Sequence, residues 1–560
     1  MWSKRSLGFD TTRISKTRRL RSNLADLFLG NEISGDRAAG LFSDARDSGS
    51  AHVADLATTG ASSSNAHRNL LRRLKKNSLW PTIYEAEVAV WNPRTMTATR
   101  STVPMLLPHE VLATFLKERA RNTQIFDHTG LDGQGLRHLE SAAAELGIDV
   151  SETVCLGFWL DGVCTKWDRS QSHDMLCLSM PGLSGRGHRM RVPLCSIDKK
   201  FVAKGSTWDD ILAIMTWSLE CALLGKMPTQ RHDMAPWTSS DVRRRRQAGQ
   251  EFGGRGLLVQ VTGDWKMYKE IFRFPQHNEA RGCCWRCTAT PVTFRDTTST
   301  ASWRHERLSY WDLIARMRQA DLKISPLFSA PGFRTTACRL DWLHVADLGV
   351  AADWFGQTLV YLLAFLPGAN EAARINAMWL NIQAYYEYFP PSARLDEFNR
   401  NILGMAKTWP KLKCHGKECR GMVPIVQALT TELLDNGDAY QHTVRQATNE
   451  LTQCYHFAAS KEPRASEELA NHCRRFCTLW TSLERLHPER WRIKPTVHMF
   501  QELCEMEPGG RPTAHDTYRD EEFGGSVVAL GRRRGGRASP NSVGMQTILK
   551  FCATHRVPCL

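Results

Sequence analysis

The stretch from 153 to 264 constrains the fold most, because the order of its elements follows from periodicity and turn signals. β-branched, aromatic and apolar runs predict four strands, at 153–160, 175–180, 190–197 and 257–261. A helix is predicted between the third and fourth strands and ends at Gly225, while Pro193 marks an edge or a bulge of the third strand. The first strand runs into a turn at Asp161, and the fourth delivers Asp264 at its end.

This order of elements, with an aspartate after the first and the fourth strand, predicts an α/β fold with an RNase H-like core. A doubly wound α/β sheet also places carboxylates at strand ends, so the spacing alone leaves that fold open. The glycine-rich connection before the third strand favours antiparallel pairing and therefore the RNase H-like mixed sheet. Beyond about residue 300 helical patterns replace strand patterns, which predicts that a large all-helical insertion interrupts the core.

Composition and periodicity divide the chain into five regions. Residues 1–78, rich in Arg and Ser, are typical of a basic, mostly disordered arm, which either serves nuclear import and phosphate contact or is merely solvated. The others are a small helical or mixed module (79–150), the first part of the core with a cysteine knuckle (151–300), the helical insertion (301–490) and the C-terminal part of the core with an acidic helix (491–560). Helices are predicted in the module at 108–121 and 136–146, and in the insertion at 311–322, 343–366, 370–389, 432–461 and 466–486.

Charge and composition indicate the partner and the compartment. A formal charge of +15 and a pI of about 9.2 favour DNA, because lysines and arginines that neutralise phosphates release counterions. No apolar leader opens the chain, and the apolar run at 354–367 is shorter than the roughly 20 residues that span a bilayer. The odd number of cysteines, 17, fits a reducing compartment. We therefore expect a nuclear or cytoplasmic protein, with an organellar leader as the alternative, no membrane, no small-molecule substrate, and self-association left open.

Two aspartates at strand ends are candidates for metal-dependent phosphoryl transfer. Such chemistry uses a few carboxylates, remote in sequence, that hold two divalent ions about 4 Å apart. Asp161 and Asp264 satisfy this requirement in position, because the ends of adjacent central strands lie together. The alternative is that each aspartate caps a turn.

The CxxC of Cys284 and Cys287 forms half of a tetrahedral zinc site. The missing ligands could come from several residues, none at a diagnostic spacing: His277, Cys283, His305 and Cys338. Buried cysteines without a metal, or a redox pair, remain alternative interpretations.

Two further patterns each allow a functional and a structural interpretation. Asp341, His344 and Asp347 recur at three-residue spacing and could support a metal or active site, or Asp341 could cap a helix while His344 is packed and hydrogen-bonded. Two arginine clusters are candidate phosphate contacts or solvated surface: Arg243, Arg244, Arg245 and Arg246, and Arg532, Arg533 and Arg534 with Arg537.

Taken in order from Leu156 to Gly525, these segments resemble CACTA-type (En/Spm-like) DDE transposases. LGFWLDGVCTKWDRSQSHDMLCLSMP looks like the family's strand with its first catalytic Asp, and TWDDILAIMTWSLECALLGKMPTQRHDM like its following helix and turn. VTGDWKMYKEIFRFPQHNEARGCCWRC is similar to the second Asp with the cysteine knuckle, and LDWLHVADLGV to an Asp-x-x-His helix in the insertion. IKPTVHMFQEL and DEEFGGSVV resemble the closing segments, where a helix supplies the third acid.

The resemblance implies hydrolysis and strand transfer on DNA, with Mg²⁺ or Mn²⁺ held by Asp161, Asp264 and Glu521, and Glu522 as the alternative third acid. It also supports structural Zn²⁺ at the two cysteines of the knuckle. Two other interpretations stay open: a domesticated or decayed copy that binds DNA without cutting it, and a helical scaffold for RNA or protein partners. Wide separation of Asp161 and Asp264 would favour the scaffold.

Overall fold

A mixed six-stranded sheet forms the centre of the protein, with strands in the order β1-β2-β5-β4-β3-β6. The computed structural model describes residues 16–29, 33–50, 52–57, 65–76, 79–117, 124–164, 172–184, 190–275, 282–460, 462, 464–505, 510–531 and 539–555. The strands are β1 Tyr84–Asn92, β2 Thr97–Met105, β3 Thr153–Cys164, β4 Ser172–Ser179, β5 Arg191–Asp198 and β6 Arg255–Thr262. The prediction of an α/β fold with a mixed sheet is confirmed.

The four predicted strands are present as β3 to β6. β3 pairs antiparallel with β4 and parallel with β6, and β4 pairs antiparallel with β5. The register between β4 and β5 shifts beside Pro193, as the predicted bulge requires, because proline has no N–H to donate to the ladder. β3 differs from its prediction in one respect, since it does not turn at Asp161 but continues to Cys164.

A β-hairpin in the range 79–150 was not predicted. β1 and β2 pair from Tyr84↔Met105 to Asn92↔Thr97, and Met105 also pairs with Cys195 of β5. The region 79–150 is mixed in secondary structure, and its strands extend the central sheet. The outer half of β2 is exposed and polar, so it lacks the apolar alternation that signals a strand.

The other regular elements of the described residues are mainly α-helices. They are α1 Lys16–Leu29, α2 Gly35–Asp47, α3 Ala66–Lys76, α4 Pro108–Lys117, α5 Gly133–Leu146, α6 Thr207–Leu224, α7 Val242–Gln247, α8 Trp265–Glu270, α9 Ser302–His305, α10 Tyr310–Gln319, α11 Ala352–Leu362, α12 Glu371–Tyr388, α13 Gly416–Gly421, α14 Val423–Leu433, α15 Ala439–Ala459, α16 Ala465–Leu486, α17 Thr496–Glu505, α18 Tyr518–Gly531 and α19 Pro540–Thr554. A π-helix, Leu343–Ala351, leads directly into α11.

Helices, and no strand, occupy the described residues between 301 and 490, in agreement with the helical patterns. The helix predicted at 432–461 is interrupted, because α14 ends at Leu433 and Asp438 caps a new helix by accepting from Gln441 N at 2.8 Å. The insertion and the sheet share one hydrophobic core, which contains Leu156 of β3 and Trp354 of α11.

The N-terminal region carries three helices, so the prediction of a mostly disordered arm is wrong for its described residues. α1, α2 and α3 pack around a small core of their own: Leu24, Ala25, Phe28, Ala38, Ala39, Phe42, Val53, Leu56, Ala57, Ala66, Leu70 and Leu74. Arg21 adds an ion pair to Asp55, with NH2 2.8 Å from Oδ2. The apolar residues recur at helical spacing, but the many Arg and Ser residues around them obscure the pattern.

One helical stretch, Leu343–Phe365, is long and apolar enough to cross a membrane. However, 78% of its most apolar window is buried inside the protein, as in a core helix. The described residues therefore give no clear membrane span.

Candidate functional site

The neighbouring parallel strands β3 and β6 bring Asp161 and Asp264 to the same end of the sheet, although β6 is the outermost strand and not a central one. The parallel register between β3 and β6 pairs Trp159 with Thr262, and each aspartate lies two positions beyond this pair. Asp264 is also the N-cap of α8, because its Oδ1 accepts from Met267 N at 2.5 Å. The capping interpretation thus applies to Asp264, whose carboxylate is fixed at the strand end.

Asp161 converges with two residues from distant parts of the chain. One ligand atom each of Asp161, His344 and Glu521 can be chosen so that all lie within 4.8 Å of one another. His344 Nε2 is 3.2 Å from Glu521 Oε1. Glu522 is exposed and is not in this group, so the geometry selects Glu521. The side chains of His344 and Glu521 are 23% and 43% exposed, which leaves the group open to a large substrate.

Asp341 orients His344 from the opposite side of the imidazole ring. Its Oδ2 pairs with His344 Nδ1 and also accepts from His344 N at 3.0 Å, while Oδ1 accepts from Leu343 N at 3.1 Å. A carboxylate on Nδ1 fixes the ring and directs Nε2 towards Asp161 and Glu521. The structural interpretation of the sequence pattern therefore applies, because His344 is hydrogen-bonded by Asp341, and His344 also borders the acidic group.

The first turn of α18 is held by buried polar contacts of two residues that precede Glu521. Thr517, immediately before the helix, donates to Asp341 from N at 2.9 Å and from Oγ1 at 2.9 Å. Asp520 forms a buried ion pair with Arg191 of β5, with NH2 3.1 Å from Oδ2. These contacts use the neighbours of Glu521 as anchors and leave its own carboxylate at His344.

Burial and crowding of acids change the proton affinities in this group. Burial, together with the charges of Asp264 and Glu521, raises the pKa of Asp161 to about 7. Burial alone would lower the pKa of His344, but the carboxylates of Asp341, Glu521 and Asp161 outweigh it and raise that pKa well above its usual range. The effect of Asp264 on Asp161 shows that the second aspartate is near, although it is not in the group within 4.8 Å.

A second group of ligand atoms lies in the interior, at the predicted cysteine knuckle. Cys284, Cys287, His498 and Glu502 are buried, and one ligand atom of each lies within 4.8 Å of the others. Cys287 Sγ is 3.4 Å from His498 Nε2, which is 3.7 Å from Glu502 Oε1. Arg307 donates to both oxygens of Glu502 at 2.7 Å and orients this carboxylate.

The partners of the CxxC are not those considered from the sequence. Cys283, His305 and Cys338 are outside the group, and His277 lies outside the described residues. His498 and Glu502 stand four residues apart and share one face of α17, but this signal is weak without knowledge of the fold. Cys287 and His498 are separated by 211 positions, so no local motif joins them.

The two thiols of this second group have pKa values shifted in opposite directions. Burial raises the pKa of a thiol, but hydrogen bonds from Cys287 and His498 outweigh it and lower the pKa of Cys284 to about 5. The same contact raises the pKa of Cys287. Because the thiolate is the form that binds metals, Cys284 is ready to act as a ligand.

The members of the first arginine cluster differ in their environment. Arg244 is buried and pairs with Glu110 at 2.6 and 2.9 Å and with Asp241 at 3.0 Å, so its assignment as a phosphate contact is wrong. The other three of that cluster are more accessible: Arg243, Arg245 and Arg246. They lie in the connection that enters β6, whereas Asp264 follows the other end of that strand. Arg532, Arg533, Arg534 and Arg537 lie outside the described residues.

Comparison with known proteins does not assign the chain to a family. No protein-family model matches the chain, and no curated protein matches it significantly. The case for a function therefore rests on the geometry of these residues.

Proposed function

We propose that this protein is a DNA transposase-like enzyme of the CACTA-type (En/Spm-like) DDE class, which cleaves phosphodiesters and transfers strands with divalent metal ions. The observation that supports it is the meeting of Asp161, His344 and Glu521 within 4.8 Å, with Asp264 at the end of the neighbouring strand. These residues come from two strands, the helical insertion and the closing helix. The parallel register places Asp161 and Asp264 at the ends of neighbouring strands, which supports this proposal over a helical scaffold.

The strand order supports an RNase H-like core. Numbered from β3, the order in the sheet is third, second, first and fourth strand, and the pairing of the first with the fourth is the parallel one of the three pairings. Asp161 belongs to the first of these strands, and Asp264 follows the fourth. The hairpin of β1 and β2 extends this sheet beyond β5.

The donor set fits a hard divalent cation. Two carboxylates supply oxygen ligands, and His344 can offer Nε2 because Asp341 occupies its Nδ1. We propose that Asp161, Asp264 and Glu521 hold Mg²⁺ or Mn²⁺, with His344 as an additional ligand or as a donor to Glu521. When bound, such ions activate the attacking oxygen and stabilise the charge of the leaving oxygen.

The residues of the chain prepare this chemistry in the resting site. Gly162 N donates to Asp161 Oδ1 at 2.5 Å, and the cap contact of Asp264 fixes its carboxylate. The high proton affinity of Asp161 reflects the repulsion among acids that a bound cation would relieve. The exposure of His344 and Glu521 leaves room for a phosphodiester and for water.

For the second group we propose structural zinc bound by Cys284, Cys287, His498 and Glu502. Two sulfurs, one imidazole nitrogen and one carboxylate are a donor set that tetrahedral Zn²⁺ accepts. Burial of all four residues supports this assignment, because the Glu502 carboxylate is paired with Arg307 and zinc would compensate the buried thiolates. Zinc there would join the loop that follows α8 to α17, the helix that precedes the acidic helix α18.

The test is nicking of supercoiled DNA in Mg²⁺ or Mn²⁺. We expect Asp161→Ala and Asp264→Ala each to lower the rate by about two to three orders of magnitude, as loss of a central charge-stabilising group does. Glu522→Ala is the matched control and should retain the rate. Tight DNA binding by the wild type without any metal-dependent nicking would instead identify a domesticated or decayed copy.

A further inference from the structure

A buried carboxylate in the π-helix, Asp347, links the helical insertion to the acidic helix. Asp347 is fully buried, and three side chains donate to it. Tyr455 Oη is 2.6 Å from Oδ1, while Tyr518 Oη and Arg420 NH2 are 2.7 and 2.9 Å from Oδ2. Arg420 also stacks on Tyr518, with its guanidinium carbon 4.8 Å from the ring centre.

The three donors come from different elements. Arg420 belongs to α13 and Tyr455 to α15, both within the insertion, whereas Tyr518 is the first residue of α18. Tyr518 stands three positions before Glu521, so the two residues lie on neighbouring positions of one helical turn. The π-helix that carries Asp347 also carries His344, the neighbour of Glu521.

The helix that carries Glu521 depends on such anchors. Gly524 and Gly525 stand in its middle, and glycine weakens a helix by about 1 kcal/mol relative to alanine. Gly524 is required by packing, since a Cβ there would lie 2.9 Å from Trp159 and from Val163 of β3. The direction of the first turn must therefore be fixed by side-chain contacts rather than by helix stiffness.

We infer that Tyr518 is a positioning residue for the third acid, and that its bond to Asp347 lets the helical insertion control where Glu521 lies relative to Asp161. Asp347 accepts a hydrogen bond from Tyr518 in the first turn of α18, and Asp341 accepts from Thr517 immediately before that helix. His344 lies between Asp341 and Asp347 in the sequence. A shift of the π-helix would move Asp347 and, through Tyr518, the acid, whereas Arg420 still holds Asp347 when the Tyr455 hydroxyl is absent. The catalytic consequence of this inference rests on the proposed function, whereas the hydrogen bond that ties α18 to Asp347 does not.

The experiment compares Tyr518→Phe with Tyr455→Phe. Both changes remove one hydroxyl donor from the same carboxylate, and only the first lies on the helix of Glu521. Hydrogen–deuterium exchange of a peptide covering 517–524 reports the order of the first turn without any need for activity. Nicking rates at varied Mn²⁺ concentration and varied DNA concentration report the catalytic consequence.

We expect Tyr518→Phe to speed exchange in that peptide by about ten-fold and to raise the Mn²⁺ concentration for half-maximal nicking by a similar factor, with KM for DNA unchanged. Tyr455→Phe should change neither, despite a comparable loss of thermal stability. Equal effects of both variants on exchange, or none from Tyr518→Phe, would overturn the inference. Faster exchange in Tyr518→Phe with no metal-dependent nicking by the wild type would refute the proposed function and leave the link intact.

Discussion

At the scale of single residues, the acidic group joins residues whose roles differ by environment. Asp161 is half-buried near the like charges of Asp264 and Glu521, Asp264 is fixed by a helix cap, and Glu521 is half exposed. His344 sits between them under the control of Asp341. The proton affinities of Asp161 and His344 should therefore influence metal binding.

Metal affinity should rise with pH around neutrality. Asp161, with a pKa of about 7, is mostly protonated at pH 6 and mostly charged at pH 8, and only the charged form binds a cation. The high pKa of His344 adds a second proton to be released if its ring binds the metal. We expect the affinity for Mn²⁺ to increase at least about ten-fold from pH 6 to pH 8. Asp161→Asn should weaken binding and flatten this dependence, and a wild-type affinity independent of pH would contradict the assignment.

Asp341 should matter through the ring that it orients. Asp341→Asn keeps the size of the side chain but weakens its hold on His344 Nδ1, and loss of such an outer partner typically costs 10- to 100-fold in metal affinity. We expect a loss in that range, measured by Mn²⁺ titration. An unchanged affinity would mean that His344 takes no part in binding the cation.

At the scale of elements, sequence patterns located the buried strands and several of the longer helices but not the residues that complete each site. β4 and β5 are buried on both faces and β3 along most of its length, so their apolar runs are unambiguous. The outer half of β2 and the N-terminal helices carry polar residues that hide the pattern. The pairing of Cys287 with His498 depends on the path of the whole insertion, which local periodicity does not encode.

The cysteine knuckle gives an element-scale prediction with a neighbouring control. Cys284→Ser and Cys287→Ser should each lose about one equivalent of zinc and lower the thermal stability, because the remaining buried ligands then lack their cation. Cys283→Ser changes an adjacent buried thiol outside the group and should retain zinc. Elemental analysis of the purified variants measures the bound zinc. Retention of zinc by all three variants would contradict the assignment of Cys284 and Cys287 as zinc ligands.

Helix α7 allows a similar separation of DNA binding from folding. Replacing the accessible Arg243, Arg245 and Arg246 by Gln should reduce the slope of log affinity against log salt by about 0.9 for each phosphate that the protein no longer neutralises. Arg244→Gln should instead lower thermal stability, because it leaves the buried Glu110 without its partner. An unchanged slope in the triple variant would exclude α7 from the DNA interface.

At the scale of the whole molecule, the insertion and the sheet share one core and jointly build the acidic group. β3 supplies Asp161, the π-helix inside the insertion supplies His344, and α18 returns after the insertion with Glu521. The net charge of +15 suits a polyanionic substrate brought to this open site. The strand order and the two aspartates were predictable from the sequence. The contact of His344 with Glu521 was not, because it depends on how the insertion folds back on the sheet.

The most direct measurement is Mn²⁺ binding, followed by electron paramagnetic resonance, in the wild type and in two adjacent variants. Glu521→Gln removes a charge from the acidic group, whereas Glu522→Gln removes one from the next residue, which lies outside it. We predict that Glu521→Gln weakens binding by about ten-fold or more and that Glu522→Gln leaves it unchanged. Equal effects of the two variants, or no bound Mn²⁺ in the wild type, would contradict a metal centre at Asp161 and Glu521.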